Sequence, residues 1–300
     1  MVRIPVISCY DSSTLRHLRF PFSFFLLPVF LFAHSQAGQV DLQAAIFSGL
    51  ILHLLIFPSS NGYNSYQDRD ETSIGGLKHP PKVSENLFYA TLLFDLAGLI
   101  FAWLISPEFA ALVFIFIVMS RLYSYRGIRL KKYPVAGFLT VFIFQGAFVY
   151  LMALVSFRSF SSEIFSGNHL LGMTVSSLFI GSIYPLTQIY QHEADKKDGV
   201  ISISYKLGYT GTFLFSSLLF TAGTLVLFIL LDKKNQHTAQ LLFLALIIPV
   251  VIYLTRWFSL VRKNKANADF GHIMRLNLIS AFCMNLFFSI LIINHHLSLF

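Results

Sequence analysis

Long apolar runs follow one another along the whole chain, separated by polar connections. A helix that crosses the hydrocarbon core of a bilayer needs about 20 mostly apolar residues, and most of these runs approach that length. The core of a soluble protein would instead show shorter apolar stretches, interrupted by polar residues at the helical or strand period. The pattern predicts an all-α membrane protein with nine spanning helices, at residues 15–33, 40–57, 87–105, 107–120, 135–155, 169–189, 212–231, 239–255 and 275–293. The fourth run is the shortest and is expected to continue past residue 120.

Composition supports a membrane protein with a single domain. Hydrophobic residues make up 55% of the 300 residues and charged residues 12%, which is about half the charged fraction of ordinary soluble domains. Every connection between the runs reads as a loop, so residues 1–300 are expected to form one polytopic membrane domain. The two cysteines, Cys9 and Cys283, stand near opposite ends of the chain and imply no disulfide framework.

The first apolar run has a second interpretation. Arg16 and Arg19 before an apolar stretch also fit a secretory signal peptide, with a cleavage site near Ser35 and Ala37. We favour a retained helix, because the remaining runs fix their own orientation without a removable leader.

Lysine and arginine indicate how the helices are oriented. If the N-terminus lies in the cytoplasm, only Arg158, Lys233 and Lys234 of the 22 basic residues fall on the outer side. Cytoplasmic loops of membrane proteins are enriched in lysine and arginine, so this bias predicts an inner N-terminus and an outer C-terminus. A net charge of +8 could also attract nucleic acid or anionic lipid. Its placement favours membrane orientation, and no nucleic-acid partner is expected.

Acidic residues concentrate in two of the loops expected on the cytoplasmic side. These are the loop after the second run, Asn61–Asn86, and the loop after the sixth run, Tyr190–Gly208. Together they hold half of the 14 acidic residues, namely Asp68, Asp70, Glu71, Glu85, Glu193, Asp195 and Asp198. Aspartate and glutamate contribute little to membrane orientation. They either solvate the loops and balance nearby lysines, or they bind a ligand.

Spacing favours the ligand-binding alternative. Asn64 and Asp68 are four residues apart, as are Gln191 and Asp195, so on a helix each pair would share one face. Clusters of oxygen atoms suit Mg²⁺, which typically binds one or two carboxylates together with phosphate oxygens of a substrate. The basic loop Arg121–Lys132 would supply cations for that phosphate, although such a loop is also an ordinary orientation signal. These residues suggest an anionic, diphosphate-like ligand at the bilayer surface.

Several short motifs stand near the ends of the predicted helices. They are Leu18-Arg19-Phe20-Pro21, Asn64–Asp70 followed by Lys78-His79-Pro80-Pro81, Tyr123-Ser124, Arg129-Leu130-Lys131, and Gln191–Asp195 followed by Gly199, Ser202 and Lys206-Leu207-Gly208. In type and position they resemble the motifs of the UbiA superfamily of intramembrane prenyltransferases, and the resemblance covers nearly the whole chain. That family has nine membrane helices and two Asp-rich motifs, of the forms NDxxDxxxD after helix two and DxxxD after helix six.

The resemblance implies a nine-helix bundle with a lipid-facing central cavity and a polar cytoplasmic cap, in a bacterial inner or plasma membrane. It implies Mg²⁺-dependent transfer of a prenyl group from a polyprenyl diphosphate donor to a small aromatic or lipid acceptor, most often an aromatic quinone precursor. The residues implied to hold Mg²⁺ are Asn64, Asp68, Gln191 and Asp195, with Thr72, Asp70 and Asp198 as further candidates. Those implied to act in catalysis are Asp68, Asp195, Arg129 and Lys131. Those implied to bind the diphosphate or the prenyl chain are Asn64, Lys78, Tyr123, Ser124 and Lys206.

Three positions depart from the motifs of that family. Where the family carries aspartate, this chain has Ser65, Thr72 and Gln191. Neutral oxygen donors can ligate Mg²⁺ but screen less of the diphosphate charge. The alternative is therefore a catalytically inactive relative that binds a prenyl lipid or a partner protein. A transporter is a further class, but it would show inverted repeats and polar groups near the midplane, and the acidic residues here lie at the predicted membrane surface.

Polar residues within the runs also have two interpretations. An ionisable side chain at membrane depth is a functional candidate by default, so Asp95 and His53 either line the cavity or form interhelical hydrogen bonds. Gln145, Asn277 and Asn285 are expected to form interhelical hydrogen bonds.

Overall fold

The computed structural model describes residues 11–69, 71–158 and 160–297, which form helices joined by loops. Within these ranges nine helices are long and apolar enough to cross a membrane. They are α1 Ser12–Gln36, α2 Leu42–Asp68, α3 Asn86–Ile105, α4 Pro107–Ser124, α5 Pro134–Phe157, α6 Gly167–Thr187, α7 Ile203–Lys233, α8 His237–Lys263 and α9 Phe270–Leu297. The predicted all-α membrane fold is confirmed, and α4 continues past its apolar run as expected.

Several helices extend well beyond the predicted apolar runs, and α2 and α7 do so next to the motifs. α2 continues to Asp68, so Asn64 and Asp68 of the first acidic motif lie in its last turns, where the polar sequence had predicted a loop. Hydropathy falls earlier than the helix ends, because the helix continues into a polar sequence before it stops at Arg69, a left-handed residue with φ 51°. α7 begins at Ile203 and contains a break at Gly208, where φ is 66° and ψ is 177°.

The helices close into a bundle. α2 packs against α3 and α3 against α4, while α6 packs against both α5 and α7. α8 packs against α9, and α9 contacts α1, which also contacts α5. The first and last membrane helices are therefore neighbours.

Large apolar side chains cover the outside of the bundle. Trp103, Leu104, Leu218 and Leu241 are between 63% and 75% exposed, whereas soluble monomers rarely expose large contiguous apolar patches. Lipid tails are as apolar as these side chains, so the exposure costs nothing in a bilayer. This outer face is the surface that contacts lipid.

Two membrane helices contain a π-helical turn, Leu52–Ile56 in α2 and Phe142–Ala147 in α5. Such turns interrupt an α-helix with one extra residue and are frequent at functional sites. In α5, the Ala147 backbone N–H donates a 3.0 Å hydrogen bond to the Ser177 hydroxyl of α6. Gly146 lets the two backbones approach, because a Cβ there would lie 2.4 Å from the Ser177 Cα. Contact with α6 therefore holds the π-helical turn of α5 in place.

A buried ion pair joins α3 to α4 at membrane depth. Asp95 of α3 pairs with Arg121 of α4, and the Ser59 hydroxyl of α2 donates a 2.5 Å hydrogen bond to the same carboxylate. The guanidinium also lies 3.9 Å from the centre of the Tyr63 ring, within the range of a cation–π contact. Asp95 is therefore an interhelical partner and lines neither cavity described below. His53 also lies outside the lining of both cavities. Its Nδ1 donates a 3.0 Å hydrogen bond to the Gly49 carbonyl of its own helix.

Candidate active site

A cavity of about 250 Å³ lies between α1, α2, α4, α5, α6 and α9, at the end of the bundle where both acidic motifs stand. We call it the motif cavity. Two carboxylates, Asp68 and Asp195, contribute to its lining from the two motifs. The other polar lining residues carry amides, hydroxyls and two cations, Arg19 and Lys131. The topology of the bundle thus brings together acidic and basic groups that lie far apart in the sequence.

The first motif brings two side chains into the cavity from one face of α2. Asn64 and Asp68 stand one helical turn apart and both line the cavity, as their spacing predicted. The Asp68 side chain is only 6% exposed, and both of its oxygens are paired, one with Lys131 and the other with Arg129 at 3.2 Å. A carboxylate this far from water needs such partners, since an unpaired buried charge is costly. The basic loop after α4 supplies both cations.

Arg129 joins the two motifs from behind the cavity wall. Its guanidinium pairs with Asp68 and Asp198 and donates a 3.0 Å hydrogen bond to the Asp198 backbone carbonyl. Arg126 places a second guanidinium 3.2 Å from the Asp198 carboxylate. Burial raises the pKa of Asp198, but the two guanidinium groups outweigh burial and hold that pKa below its ordinary value. Arg129 and Asp198 do not line the cavity, and they fix Asp68 relative to the second motif.

The second motif begins just after α6 ends. Gln191 precedes the short helix His192–Lys197, and the Asp195 N–H donates a 2.8 Å hydrogen bond to the Gln191 carbonyl. Both side chains reach the cavity from this turn. The Gln191 side-chain amide donates a 3.1 Å hydrogen bond to the Ser73 carbonyl. A carbonyl can only accept, so this bond orients the amide and leaves its oxygen as an acceptor or a metal ligand. It also ties the loop of the first motif to the second motif.

A chain of hydrogen bonds follows the wall between α4 and α6. The hydroxyl groups of Tyr123 and Tyr184 lie 2.7 Å apart, and Gln188 donates a 2.8 Å hydrogen bond to Tyr184. Because Tyr184 accepts from Gln188, its own hydrogen can be donated to Tyr123. The Tyr123 hydroxyl is then left to donate its hydrogen to a group in the cavity. Nearby, the Asn64 amide donates a 3.0 Å hydrogen bond to the Ser124 hydroxyl.

The oxygen donors of the cavity suit Mg²⁺. Across the described ranges, no three His, Cys, Asp or Glu side chains gather into a complete metal cluster. Mg²⁺, however, usually binds one or two carboxylates and completes its shell with water and substrate phosphate. Asp68 and Asp195 provide the carboxylates, while Asn64 and Gln191 provide amide oxygens whose nitrogens are engaged elsewhere. The residues fit a Mg²⁺ ion that binds together with a phosphate-bearing ligand.

Most of the predicted site residues meet in the motif cavity, whose lining includes Asn64, Asp68, Tyr123, Ser124, Lys131, Gln191 and Asp195. Thr72, Lys78 and Lys206 are exposed and lie off this lining. The first two stand on the loop after α2, and Lys206 stands on the first turn of α7. Ser65 is buried and also lies off the lining. Asp70 is outside the described residues.

Several lining residues were not anticipated from the sequence. Gln145 and Asn277, expected to form interhelical hydrogen bonds, line the motif cavity and make no side-chain hydrogen bond within the described part of the chain. Arg19, Tyr184 and Gln188 line the cavity as well. For the two amides, the only signal in the sequence was their depth in an apolar run. That signal does not distinguish a cavity wall from a helix interface.

A second cavity, of about 120 Å³, adjoins the first between α1, α6, α7, α8 and α9, and we call it the apolar cavity. Its lining shares Phe25, Ile180, Ile183 and Asn277 with the motif cavity and otherwise consists mostly of aliphatic and aromatic side chains. A molecule with an anionic head and an apolar chain would fit with its head at the motifs and its chain in the apolar cavity.

Comparison with known proteins identifies a family and several similar structures. The sequence pattern described as the UbiA prenyltransferase family matches residues 22–279, whereas no curated protein matches. Among solved structures, a UbiA homologue from Archaeoglobus fulgidus bound to GPP and Mg²⁺ is 17% identical and superimposes with a TM-score of 0.65. The similarity covers 94% of this chain and 99% of that chain.

Two further solved structures share the architecture. The apo structure of a UbiA homologue from Aeropyrum pernix K1 is 15% identical with a TM-score of 0.68, over 94% of this chain and 98% of that one. A digeranylgeranylglyceryl phosphate synthase is 18% identical with a TM-score of 0.61, again over 94% and 98% of the two chains. At sequence identities this low, the structural similarity shows a common fold and nothing more.

Proposed function

The chain belongs to the UbiA prenyltransferase family, and we propose that it transfers a prenyl group from an allylic polyprenyl diphosphate to an aromatic quinone precursor, with Mg²⁺ as cofactor. Prenyl transfer is the activity of that family. The observation that carries the proposal is the meeting of both acidic motifs and Lys131 at a cavity that adjoins an apolar one. An amphiphilic diphosphate needs both environments.

The diphosphate of the donor would lie at the motif end of the cavity. Mg²⁺ would be held there by Asp68, Asp195 and the amide oxygens of Asn64 and Gln191, and when bound it supplies positive charge to the departing diphosphate. Lys131 provides a fixed cation on the same wall, and hydrogen bonds between ionised partners are roughly twice as strong as neutral ones. Structures of the Archaeoglobus fulgidus homologue bound to GPP or DMAPP together with Mg²⁺ support this choice of donor and metal.

In the proposed reaction, the bond between the allylic carbon and the diphosphate oxygen breaks, and its electrons leave with the diphosphate. The allylic carbon then bonds to an electron-rich carbon of the acceptor ring, which loses a proton. Lys131 and the Tyr123 hydroxyl stabilise the charge that develops on the diphosphate. The rings of Phe57, Phe116 and Phe144 line the same cavity, where they exclude water and face the allylic cation.

The nine apolar helices of the described residues, together with the family, make the protein an integral, multi-pass membrane protein. We place the motif end on the cytoplasmic side, in a bacterial inner or plasma membrane. The support is the distribution of charge, because Arg158, Lys233 and Lys234 stand alone on the opposite side of the predicted topology.

Binding without catalysis is the second candidate function. Ser65, Thr72 and Gln191 replace aspartates of the family motifs, and the structure commits the Gln191 amide to a hydrogen bond with the neighbouring loop. The catalytic function is favoured by the carboxylates of Asp68 and Asp195, which the motifs retain, and by Lys131 in the same cavity.

Mg²⁺-dependent release of diphosphate by the purified protein tests the proposal. Prenyl diphosphates of several chain lengths would be supplied with a panel of aromatic and lipid acceptors. Asp68→Asn and Asp195→Asn should abolish release, because each removes a carboxylate from the motif cavity. Asp232→Asn, an exposed site at the other end of α7, should not. A wild-type protein that binds prenyl diphosphate but releases none with any acceptor would support the binding function.

A further inference from the structure

Two side-chain amides at membrane depth face the motif cavity without a protein partner. Gln145 lies near the middle of α5, and Asn277 lies on α9, where it lines both the motif cavity and the apolar cavity. Neither forms a side-chain hydrogen bond within the described ranges, and Asn277 is only 5% exposed. The hydrogen bonds of the two amides are therefore open to whatever occupies the cavity, either water or a ligand. A ligand with matching polar groups can replace water as their partner.

The backbone of α5 is arranged to present one of these amides. Gln145 lies within the π-helical turn Phe142–Ala147, and π-helical turns are rare and often found at functional sites. The hydrogen bond to Ser177 and the close approach at Gly146 hold this turn against α6. This π-helical turn thus contains an amide at the cavity wall, whereas no residue of the π-helical turn Leu52–Ile56 lines either cavity.

Within the described ranges, neither helix that carries one of the two amides contributes a cation to the lining of the motif cavity. Among the described residues that line the motif cavity, the cations are Arg19 and Lys131, and none stands on α5 or α9. Lys131 pairs with the carboxylate of the first motif. Arg19 donates to two backbone carbonyls of α2 and its following loop, 2.9 and 3.0 Å away. A carboxylate held by the two amides would therefore receive no cation from α5 or α9, and both lining cations already have protein partners.

We infer that Gln145 and Asn277 bind the prenyl acceptor, and that the group they hold is an uncharged hydroxyl or carbonyl. The inference rests on the proposed function and narrows its acceptor. An amide offers a carbonyl oxygen and two N–H hydrogens, so the pair can accept from a hydroxyl and donate to a carbonyl. Phenols, quinols and lipid alcohols share this chemistry, whereas an aromatic carboxylic acid brings a charge that amides do not neutralise. Asn277 stands where the two cavities adjoin, which places the acceptor beside the path of the prenyl chain.

Equilibrium binding of three probes to the purified protein in lipid nanodiscs tests the inference without turnover. 1-Naphthol is an uncharged hydroxyl-bearing ring, 1-hydroxy-2-naphthoate adds a carboxylate to that ring, and decanol is an uncharged aliphatic alcohol. We expect the carboxylate probe to bind at least about tenfold more weakly than 1-naphthol, because its charge would receive no cation from α5 or α9. Tighter binding of the carboxylate probe would overturn the inference. If the two amides are needed for the binding of decanol but not of 1-naphthol, the acceptor is a lipid alcohol, and the inference of an uncharged hydroxyl is confirmed.

Substitutions separate the two amides from the rest of the cavity. Gln145→Met and Asn277→Leu keep the approximate size of each side chain but remove its hydrogen bonds. Each should weaken binding of the uncharged probe about fivefold, the loss expected for one neutral hydrogen bond. The matched control is Asn285→Leu, because this buried amide stands on α9, lines neither cavity and donates to a carbonyl of α1 at 3.5 Å. It should bind the probe as the wild type does.

Wild-type affinity in both amide variants would show that the inference is wrong, and if one variant does not fold, the other decides. Binding of geranyl diphosphate with Mg²⁺, measured separately, tells the two proposals apart. If geranyl diphosphate binds normally but neither substitution changes the affinity for the probe, the proposed function is retained and the acceptor site is rejected. Probe binding that depends on the amides, without any product from any donor, would reject prenyl transfer and retain the binding site for an uncharged hydroxyl.

Discussion

Lys131 and Asp68 form an ion pair that joins the loop after α4 to the last turn of α2. Both residues line the motif cavity, so the ammonium that balances the carboxylate also faces the space for the diphosphate. A bound diphosphate would be a second partner for the Lys131 ammonium. A bound Mg²⁺ would be an additional partner for the Asp68 carboxylate. We therefore expect each ligand to bind more tightly when the other is present, and linkage requires the two effects to be equal.

Removal of this ammonium should weaken diphosphate binding. Lys131→Gln is expected to reduce the affinity for inorganic diphosphate, in the presence of Mg²⁺, by about tenfold or more, because a charge-assisted hydrogen bond is lost. Lys132→Gln is the control, since the neighbouring lysine is exposed and lies off the cavity lining. Calorimetric titration measures both variants. Equal losses would show that the effect comes from the overall charge of the loop.

An added carboxylate in the second motif should tighten metal binding. In Gln191→Asp a third carboxylate lines the cavity, so the Mn²⁺ concentration that half-saturates the protein should fall, as followed by electron paramagnetic resonance. Thr72→Asp adds the same charge to an exposed position off the lining and should leave that concentration unchanged. A weaker metal site in Gln191→Asp would instead mean that the hydrogen bond to Ser73 matters more than the added charge.

The orientation of the bundle can be checked by labelling from either side of the membrane. Lys78→Cys and Asn168→Cys place single thiols at exposed positions at the two ends of the bundle, in a chain whose Cys9 and Cys283 are replaced by alanine. We expect Lys78→Cys to react only from the cytoplasm and Asn168→Cys only from outside, because basic loops remain inside. The reverse result would place the motif cavity on the outer side.

The ion pair between α3 and α4 should be more sensitive to the loss of one partner than to the loss of both. Asp95→Asn leaves Arg121 without its counter-charge at membrane depth, and we expect a loss of about 3–5 kcal/mol in the free energy of unfolding. The double variant Asp95→Leu with Arg121→Met removes both charges and should be closer to the wild type. Thermal unfolding in detergent compares them, and equal losses in the two variants would contradict the expectation.

The fold could be predicted from the sequence because lipid imposes a strong constraint on it. A membrane span must satisfy its backbone hydrogen bonds internally and expose apolar side chains, so long apolar runs identify helices. The same criterion misplaced the end of α2, since a helix can continue after its side chains become polar. Asp68 lies on that polar extension, and hydropathy alone assigned it to a loop.

Part of the candidate site could be predicted from the period of a helix. Asn64 and Asp68 face the cavity together because residues four apart share a helical face, and the structure bears this out. Lys78 stands in a loop, where spacing says nothing about direction, and its side chain is exposed. Gln145 and Asn277 lie on helices, but an amide in an apolar run can face a cavity or another helix, and only the packing decides which.

The π-helical turn of α5 also has a consequence for how related sequences align. It holds one residue more than the α-helical turn it replaces, and each residue of an α-helix rotates the side-chain direction by about 100°. Deleting one residue within Phe142–Ala147 would restore a regular helix, keep both ends of α5 in their present register and change the directions of side chains within the turn. Relatives whose fifth helix is regular should therefore align with this chain only across a one-residue gap in that segment.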